Sequence, residues 1–211
     1  MSLKISKKKF IYLISPNKIP YSFYKNLKLV LKTEKVSFFQ LRLKNYSLKK
    51  KIIIGKKMKN ICKKNKVKFI INDDPLLALK LDADGCHLGQ KDMNIMSAKN
   101  ILGKKIVGIT CHNSINLAKK AIKAKADYIA FGAFNQSKTK KTKHVASVKI
   151  LNKVSSFTKI PIVAIGGINA VNYKFYFIFF TNIINFFSNF NFVLKRIIFK
   201  SKLKKTYFSI F

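Results

Sequence analysis

Up to residue 170, short apolar runs alternate with Lys-rich stretches whose apolar residues recur at helical spacing. The runs are Phe10–Ile14, Val36–Leu41, Val67–Ile71, Asp84–Leu88, Lys105–Ile109, Asp127–Phe131 and Ile160–Ile165. Their length and β-branched content predict strands. Between them, Ile115, Leu117, Ala118, Ala121 and Ile122 lie on one helical face. So do Leu76, Leu77 and Leu79, with Pro75 at the first-turn position that proline tolerates. Strands separated by helices predict βαβ units and a parallel sheet. Seven strands within roughly 165 residues give the spacing of a compact (β/α)8 barrel.

Polar residues gather where each run ends. Gln40, Arg42 and Lys44 close the second, Asn72 and Asp73 the third, and His87, Gly89 and Gln90 the fourth. Thr110 closes the fifth, Gly132 the sixth and Gly166–Gly167 the seventh. In a barrel these ends share the C-terminal face, where barrel enzymes place their sites. A doubly wound sheet would also collect ligands at strand ends. Its usual GxGxxG after the first strand is missing.

Charge sharpens the picture. The chain of 211 residues has a formal net charge of +37, with 44 Lys and Arg against seven Asp and Glu. Lys is spread along the whole length, and Ile, Asn and Phe rise with it, as AT-rich codon usage would produce. Such a surface attracts polyanions without specificity. The aromatics do not interleave with the basic residues as in a recognition module, so no specific nucleic-acid partner is expected. Five of the seven acids, Asp73, Asp74, Asp82, Asp84 and Asp92, crowd into one twenty-residue stretch; the others are Glu34 and Asp127. Hard cations such as Mg²⁺ take one or two carboxylates plus substrate phosphates. Asp73 and Asp92, near the ends of successive strands, suggest a magnesium–pyrophosphate site. Helix capping by Asp73 and Asp74 and loop solvation by Asp92 are the competing reading.

Three cysteines, Cys62, Cys86 and Cys111, show neither CxxC pairing nor metal spacing. A reducing cytoplasm is expected. The apolar run behind the Lys-rich start is too short for a secretory signal.

After Ala170 the chain changes character. Gly, Ala, Pro, Asp and Glu disappear and Phe becomes frequent. Phe175 to Leu194 is uncharged and long enough to span a bilayer. Asn182, Asn185, Asn189 and Asn191 would each need partners in lipid, so membrane association is not the favoured reading. We expect residues 1–170 to form the folded domain. Residues 171–211 would be a Phe/Asn/Lys-rich tail produced by a change of reading frame near Asn172.

Several segments, taken in order, resemble the thiamine-phosphate synthase and thiazole tautomerase family. They are Phe-Gln-Leu-Arg-Leu-Lys (39–44), Ile-Asn-Asp-Asp (71–74), Ala-Asp-Gly-Cys-His-Leu-Gly-Gln-Lys-Asp (83–92) and Gly-Ile-Thr-Cys-His-Asn (108–113). Ala-Asp-Tyr-Ile-Ala-Phe-Gly-Ala-Phe (126–134), Ser-Lys-Thr-Lys (137–140) and Ile-Pro-Ile-Val-Ala-Ile-Gly-Gly-Ile (160–168) follow. The resemblance covers roughly residues 10 to 170 and implies a (β/α)8 TIM barrel. It implies a transferase that joins a pyrimidine methyl diphosphate to a thiazole phosphate, giving thiamine phosphate and pyrophosphate. By position, Asp73 and Asp92 would bind Mg²⁺. Gln40, Arg42, Lys44 and Asn72 would bind the pyrimidine diphosphate, with Thr110 near the pyrimidine. Lys140 would meet the leaving pyrophosphate, and Arg42, Lys44 and Lys140 would be the catalytic cations. Ser137 and Thr139 would hold the thiazole phosphate, helped by Gly166 or Gly167.

The residue types suit that chemistry. Departure of pyrophosphate needs electrostatic stabilisation, and a thiazole nitrogen as nucleophile needs no Ser–His–Asp arrangement. Taken singly the same residues read otherwise: Arg42 and Lys44 as solvated edge positions, residues 137–140 as a basic loop, the Gly pair as a turn, and His87 as structural. Gln136-Ser137 stands where the family has Pro-Thr, and nothing in 171–211 matches its eighth βα unit. The barrel is therefore expected to be incomplete at its C-terminus. A tautomerase-type isomerase, or an inactive remnant with a membrane-associated tail, are the alternatives.

Overall fold

The computed structural model describes residues 11–135 and 145–168, together with the backbone of a short strand at 208–210. Seven strands come in order: β1 (Ile11–Ile14), β2 (Val36–Leu41), β3 (Lys68–Asn72), β4 (Gly85–Leu88), β5 (Ile106–Thr110), β6 (Tyr128–Phe131) and β7 (Ile162–Ala164). Six helices follow the first six of them: α1 (Tyr21–Leu31), α2 (Leu48–Lys64), α3 (Pro75–Lys80), α4 (Ile95–Leu102), α5 (Ile115–Lys123) and α6 (Val148–Ser155). Helix starts are set by local chemistry. Asp74, Asn94 and Ser114 each accept a hydrogen bond from the backbone N–H three residues on, at 2.8, 2.9 and 3.2 Å, satisfying a donor the helix itself leaves unpaired.

Strands β1 to β7 pair in sequence order, every neighbour parallel. The eighth position of the ring differs. Strand β8 (Phe208–Ile210) runs antiparallel, matched to Ile11, Tyr12 and Leu13 of β1 and, by one residue, to Ala164 of β7. The fold class predicted from the sequence is therefore the one found, with a seam between β1 and β7 that, among the described residues, no parallel βα unit seals. A short strand there covers part of two edges that would otherwise template association. The expected frame change near Asn172 lies outside the described residues. So does the uncharged stretch 175–194; no helix among the described residues is long and apolar enough to cross a membrane.

Two cores follow from strand alternation. Outward-facing residues such as Leu13, Phe39, Phe69, Ile71 and Ile129 pack against the helices. Inward-facing Tyr12, Phe38, Ile70, Ile106, Tyr128, Ala130 and Val163 fill the barrel interior. The rings of Tyr12 and Phe38 stack with centroids 5.5 Å apart, and Tyr128 lies against both. A glycine makes room for this: a methyl group on Gly108 would overlap the Tyr128 ring.

Four acids serve the scaffold. Asp74 caps α3. Asp84 accepts from the backbone N–H of Phe69 at 2.9 Å and from Lys68 at 2.7 Å. Asp127 repeats the device one pair of strands on, accepting from Val107 N–H at 2.7 Å and Lys99 at 2.8 Å. β4 and β6 begin one residue later than the predicted runs, directly after these aspartates. Asp82 sits between Lys105 and Lys59, and hydrogen bonds from both hold its carboxyl down at about 2. Asp127→Ala orphans a ladder N–H and is expected to cost about 1–3 kcal/mol in urea unfolding. A cost near zero would show that water replaces the carboxylate.

Candidate active site

A cavity of about 750 Å³ opens at the C-terminal ends of the strands. Gln40, Arg42, Lys44, Asn72, Asp73, Asp92, Thr110, Gly166 and Gly167 all line it. Ser137, Thr139 and Lys140 lie outside the described residues. Strand order explains the convergence: residues 60 or more apart in sequence meet because each parallel strand delivers its last residue to the same rim.

Asp73 and Asp74 are adjacent yet divide their roles. Asp74 turns back to cap α3, whereas Asp73 takes a left-handed backbone conformation with φ of 65°. Its N–H donates to His87 O at 2.8 Å across the β3–β4 step. That conformation sends its carboxyl to the cavity, where it is hydrogen-bonded to the carboxyl of Asp92. Asp92 is held in turn by Gly89 N–H, which donates to its Oδ2 at 2.6 Å. Capping thus explains Asp74 and leaves Asp73 to the site.

Burial is the main cause of a rise in the Asp73 pKa to about 6; the hydrogen bond to Asp92 and its charge add to it. The charge of Lys44 and a hydrogen bond with Asn72 oppose the rise. Two carboxyls in contact either share a proton or hold a cation between them. Arg42 completes the polar rim. Its backbone N–H donates to Ser15 Oγ at 2.9 Å, and its Nη1 donates to Asn17 Oδ1 at 2.6 Å. Burial lowers the Arg42 pKa, while the Asp73 charge acts to raise it. One end of the cavity therefore carries a carboxyl pair flanked by cations.

The opposite wall rests on Gly166 and Gly167, with φ of 89° and 70°. Side chains there would collide with Ala133 and Asn135. Asn135 N–H donates to Gly166 O at 3.0 Å, so the pair packs against the loop after β6 as well as lining the cavity.

The floor was not legible in the sequence. Tyr12, inside β1, and Tyr128, the first residue of β6, belong to apolar runs, yet both line the cavity. His87, read as structural, is bonded at both ring nitrogens and also faces the cavity. Gln90 reaches across to Thr110 O at 2.6 Å. For the two tyrosines the only sequence signal was strand alternation extended inward from Gln40 and Thr110, whereas His87 and Gln90 already stood among the polar residues closing the fourth run.

A model of the family described as thiamine monophosphate synthase matches residues 11–176. The chain belongs to that family. It is 69% identical over 134 residues to the thiamine-phosphate synthase of Pelagibacter ubique, covering 63% of this chain and 65% of that protein. It is 40% identical over 133 residues to that of Erythrobacter litoralis, covering 62% of each. The chain thus spans less than two thirds of the length of these curated relatives. Among solved structures, thiamine phosphate pyrophosphorylase from Pyrococcus furiosus superposes with a TM-score of 0.73 at 26% identity, covering 90% of this chain and 97% of that one. Membership in the family accounts for the order of segments from Phe39 to Ile168.

Proposed function

We propose that this chain is a thiamine-phosphate synthase: it joins 4-amino-2-methylpyrimidine methyl diphosphate to a thiazole phosphate and releases pyrophosphate. The observation that carries the reading is the contact of Asp73 with Asp92 in a cavity shared with Arg42 and Lys44. The names of its relatives support it.

The donor set suits magnesium. Asp73 and Asp92 offer hard carboxylate oxygens, and among the described residues no cluster of three His, Cys, Asp or Glu competes for the ion. Mg²⁺ characteristically takes one or two carboxylates and completes its shell with water and phosphate. Bound there, it would neutralise charge developing on the departing diphosphate.

The chain's own residues do the rest. Arg42 grips diphosphate oxygens as a fork, and Lys44 acts as a point charge beside it. Lys140 is assigned to the leaving pyrophosphate. Gln40, Asn72 and Thr110 orient the pyrimidine over the ring-lined floor. The carbon–oxygen bond to the diphosphate breaks, its electron pair leaves with the pyrophosphate, and the thiazole nitrogen bonds to the freed carbon. Ser137, Thr139 and the backbone at Gly166 or Gly167 hold the thiazole phosphate so that its nitrogen faces that carbon. An isomerase acting on the thiazole alone would have no use for a carboxyl pair and two cations at the far end. The three buried free cysteines suit a reducing compartment such as the cytoplasm.

The test is direct. Purified full-length chain should release pyrophosphate only when the pyrimidine diphosphate, the thiazole phosphate and Mg²⁺ are all present. Undiminished release in EDTA would remove the metal assignment, and no release under any condition would remove the activity.

A further inference from the structure

The cavity floor holds a chain of polar side chains drawn from five strands. Gln40 Nε2 donates to the Tyr12 hydroxyl at 3.2 Å. The hydroxyls of Tyr12 and Tyr128 are 2.7 Å apart. Tyr128 Oη lies 2.8 Å from His87 Nδ1, and His87 Nε2 lies 2.8 Å from Thr110 Oγ1. Gln40, Tyr12 and Tyr128 are each no more than 2% exposed, and His87 is 7% exposed. Burial raises the pKa of both phenols, so each keeps its proton.

A phenol or threonine hydroxyl has one hydrogen to give, and a neutral imidazole has one N–H. Such a chain therefore runs in a single direction. Gln40 donates at its head; with the Tyr12 hydrogen passed on to Tyr128, the Tyr128 hydrogen goes to Nδ1. That leaves the imidazole proton on Nε2, pointing at Thr110. Among the described residues His87 is the partner of the Thr110 hydroxyl, so the hydroxyl's own hydrogen is directed at the cavity that Thr110 lines. We infer that His87 is a positioning residue: Tyr128 locks it as the neutral Nε2–H tautomer, which turns Thr110 into a hydrogen-bond donor and tunes the floor to a flat heterocycle presenting an acceptor atom there. The tautomer is inferred from the ligand-free geometry alone. Only the identity of the heterocycle, a pyrimidine, rests on the function proposed above.

The experiment is a long-range ¹H–¹⁵N spectrum of the ligand-free, full-length chain labelled at histidine, at pH 8. His87→Gln assigns its signals among the three histidines. The expected spectrum shows a protonated Nε2 and an unprotonated Nδ1 whose shift carries the mark of an accepted hydrogen bond. Tyr128→Phe should erase that mark. A protonated Nδ1 means that the chain runs the other way, with Thr110 donating to His87, and overturns the inference. A second arm uses the pyrimidine diphosphate as probe. Thr110→Val should weaken its binding about tenfold, the size of one hydrogen bond, and Thr110→Ser should restore it. Equal binding by the Val variant would overturn the donor role. If the unaltered protein fails to bind this probe, the proposed function falls while the tautomer result stands.

Discussion

Asp73→Asn is expected to lower kcat/KM by about 10²–10³-fold, the usual scale for removing one group that stabilises developing charge. The same substitution should make the metal-free protein more stable. Asn matches Asp in shape and is among the few residues that accept a left-handed backbone, so the turn at φ of 65° survives. What changes is electrostatic. In the metal-free protein the Asp73 carboxyl has a pKa of about 6 against an ordinary 3.8, so the folded state resists its ionisation. A carboxyl raised in this way costs no stability below its unfolded value. The penalty grows as pH climbs from there to about 6 and is constant above that. Allowing for solvent screening of a half-buried group, it is about 1 kcal/mol at neutral pH. Thermal unfolding without metal should therefore show the Asn variant above the parent at pH 7.5, with the gap closing by pH 4. Added Mg²⁺ should stabilise the parent and not the variant. A variant that is both inactive and less stable at pH 7.5 would mean that Asp73 is structural.

Gly108→Ala is the second large effect. A methyl group at that position would enter space held by the Tyr128 ring. Tyr128 is 1% exposed and is fixed by Tyr12 and His87 at its hydroxyl, so it has little freedom to retreat. Overpacking of this kind costs about 3 kcal/mol. Because the displaced ring also forms the cavity floor, binding of the pyrimidine substrate should weaken alongside stability. In a Tyr128→Ala background, which vacates the space, Gly108→Ala should cost little further stability, while binding stays weak. Full stability in Gly108→Ala alone would show that the interior is looser than its geometry indicates.

Strand alternation and helical spacing made most of the barrel legible. The range predicted for β2 has the same bounds as the strand, and the others shift by one to two residues. Asp84 and Asp127, the first residues of their predicted runs, stand just before β4 and β6 and accept backbone N–H bonds with their side chains. The reversed direction of β8 could not be read, because direction in a ring depends on the chain's route back to the seam rather than on local pattern. At the site, the rim was legible because charge stands out against apolar strands; in so basic a chain, so few carboxylates made Asp73 and Asp92 conspicuous. The two tyrosines of the floor were hidden because they sit in apolar runs and their hydroxyls meet each other and His87 only after the ring closes. Asp74 shows the limit of reading neighbours alike: one backbone rotation separates a helix cap from the site.

The central claim is that Asp73 and Asp92 together hold a divalent ion against a diphosphate. Titrating Mn²⁺ into the full-length chain with pyrophosphate present, followed by electron paramagnetic resonance, tests it most directly. The account predicts one ion bound by the parent, with binding lost in both Asp73→Asn and Asp92→Asn and retained in Asp82→Asn. Equal binding by all four proteins would contradict it.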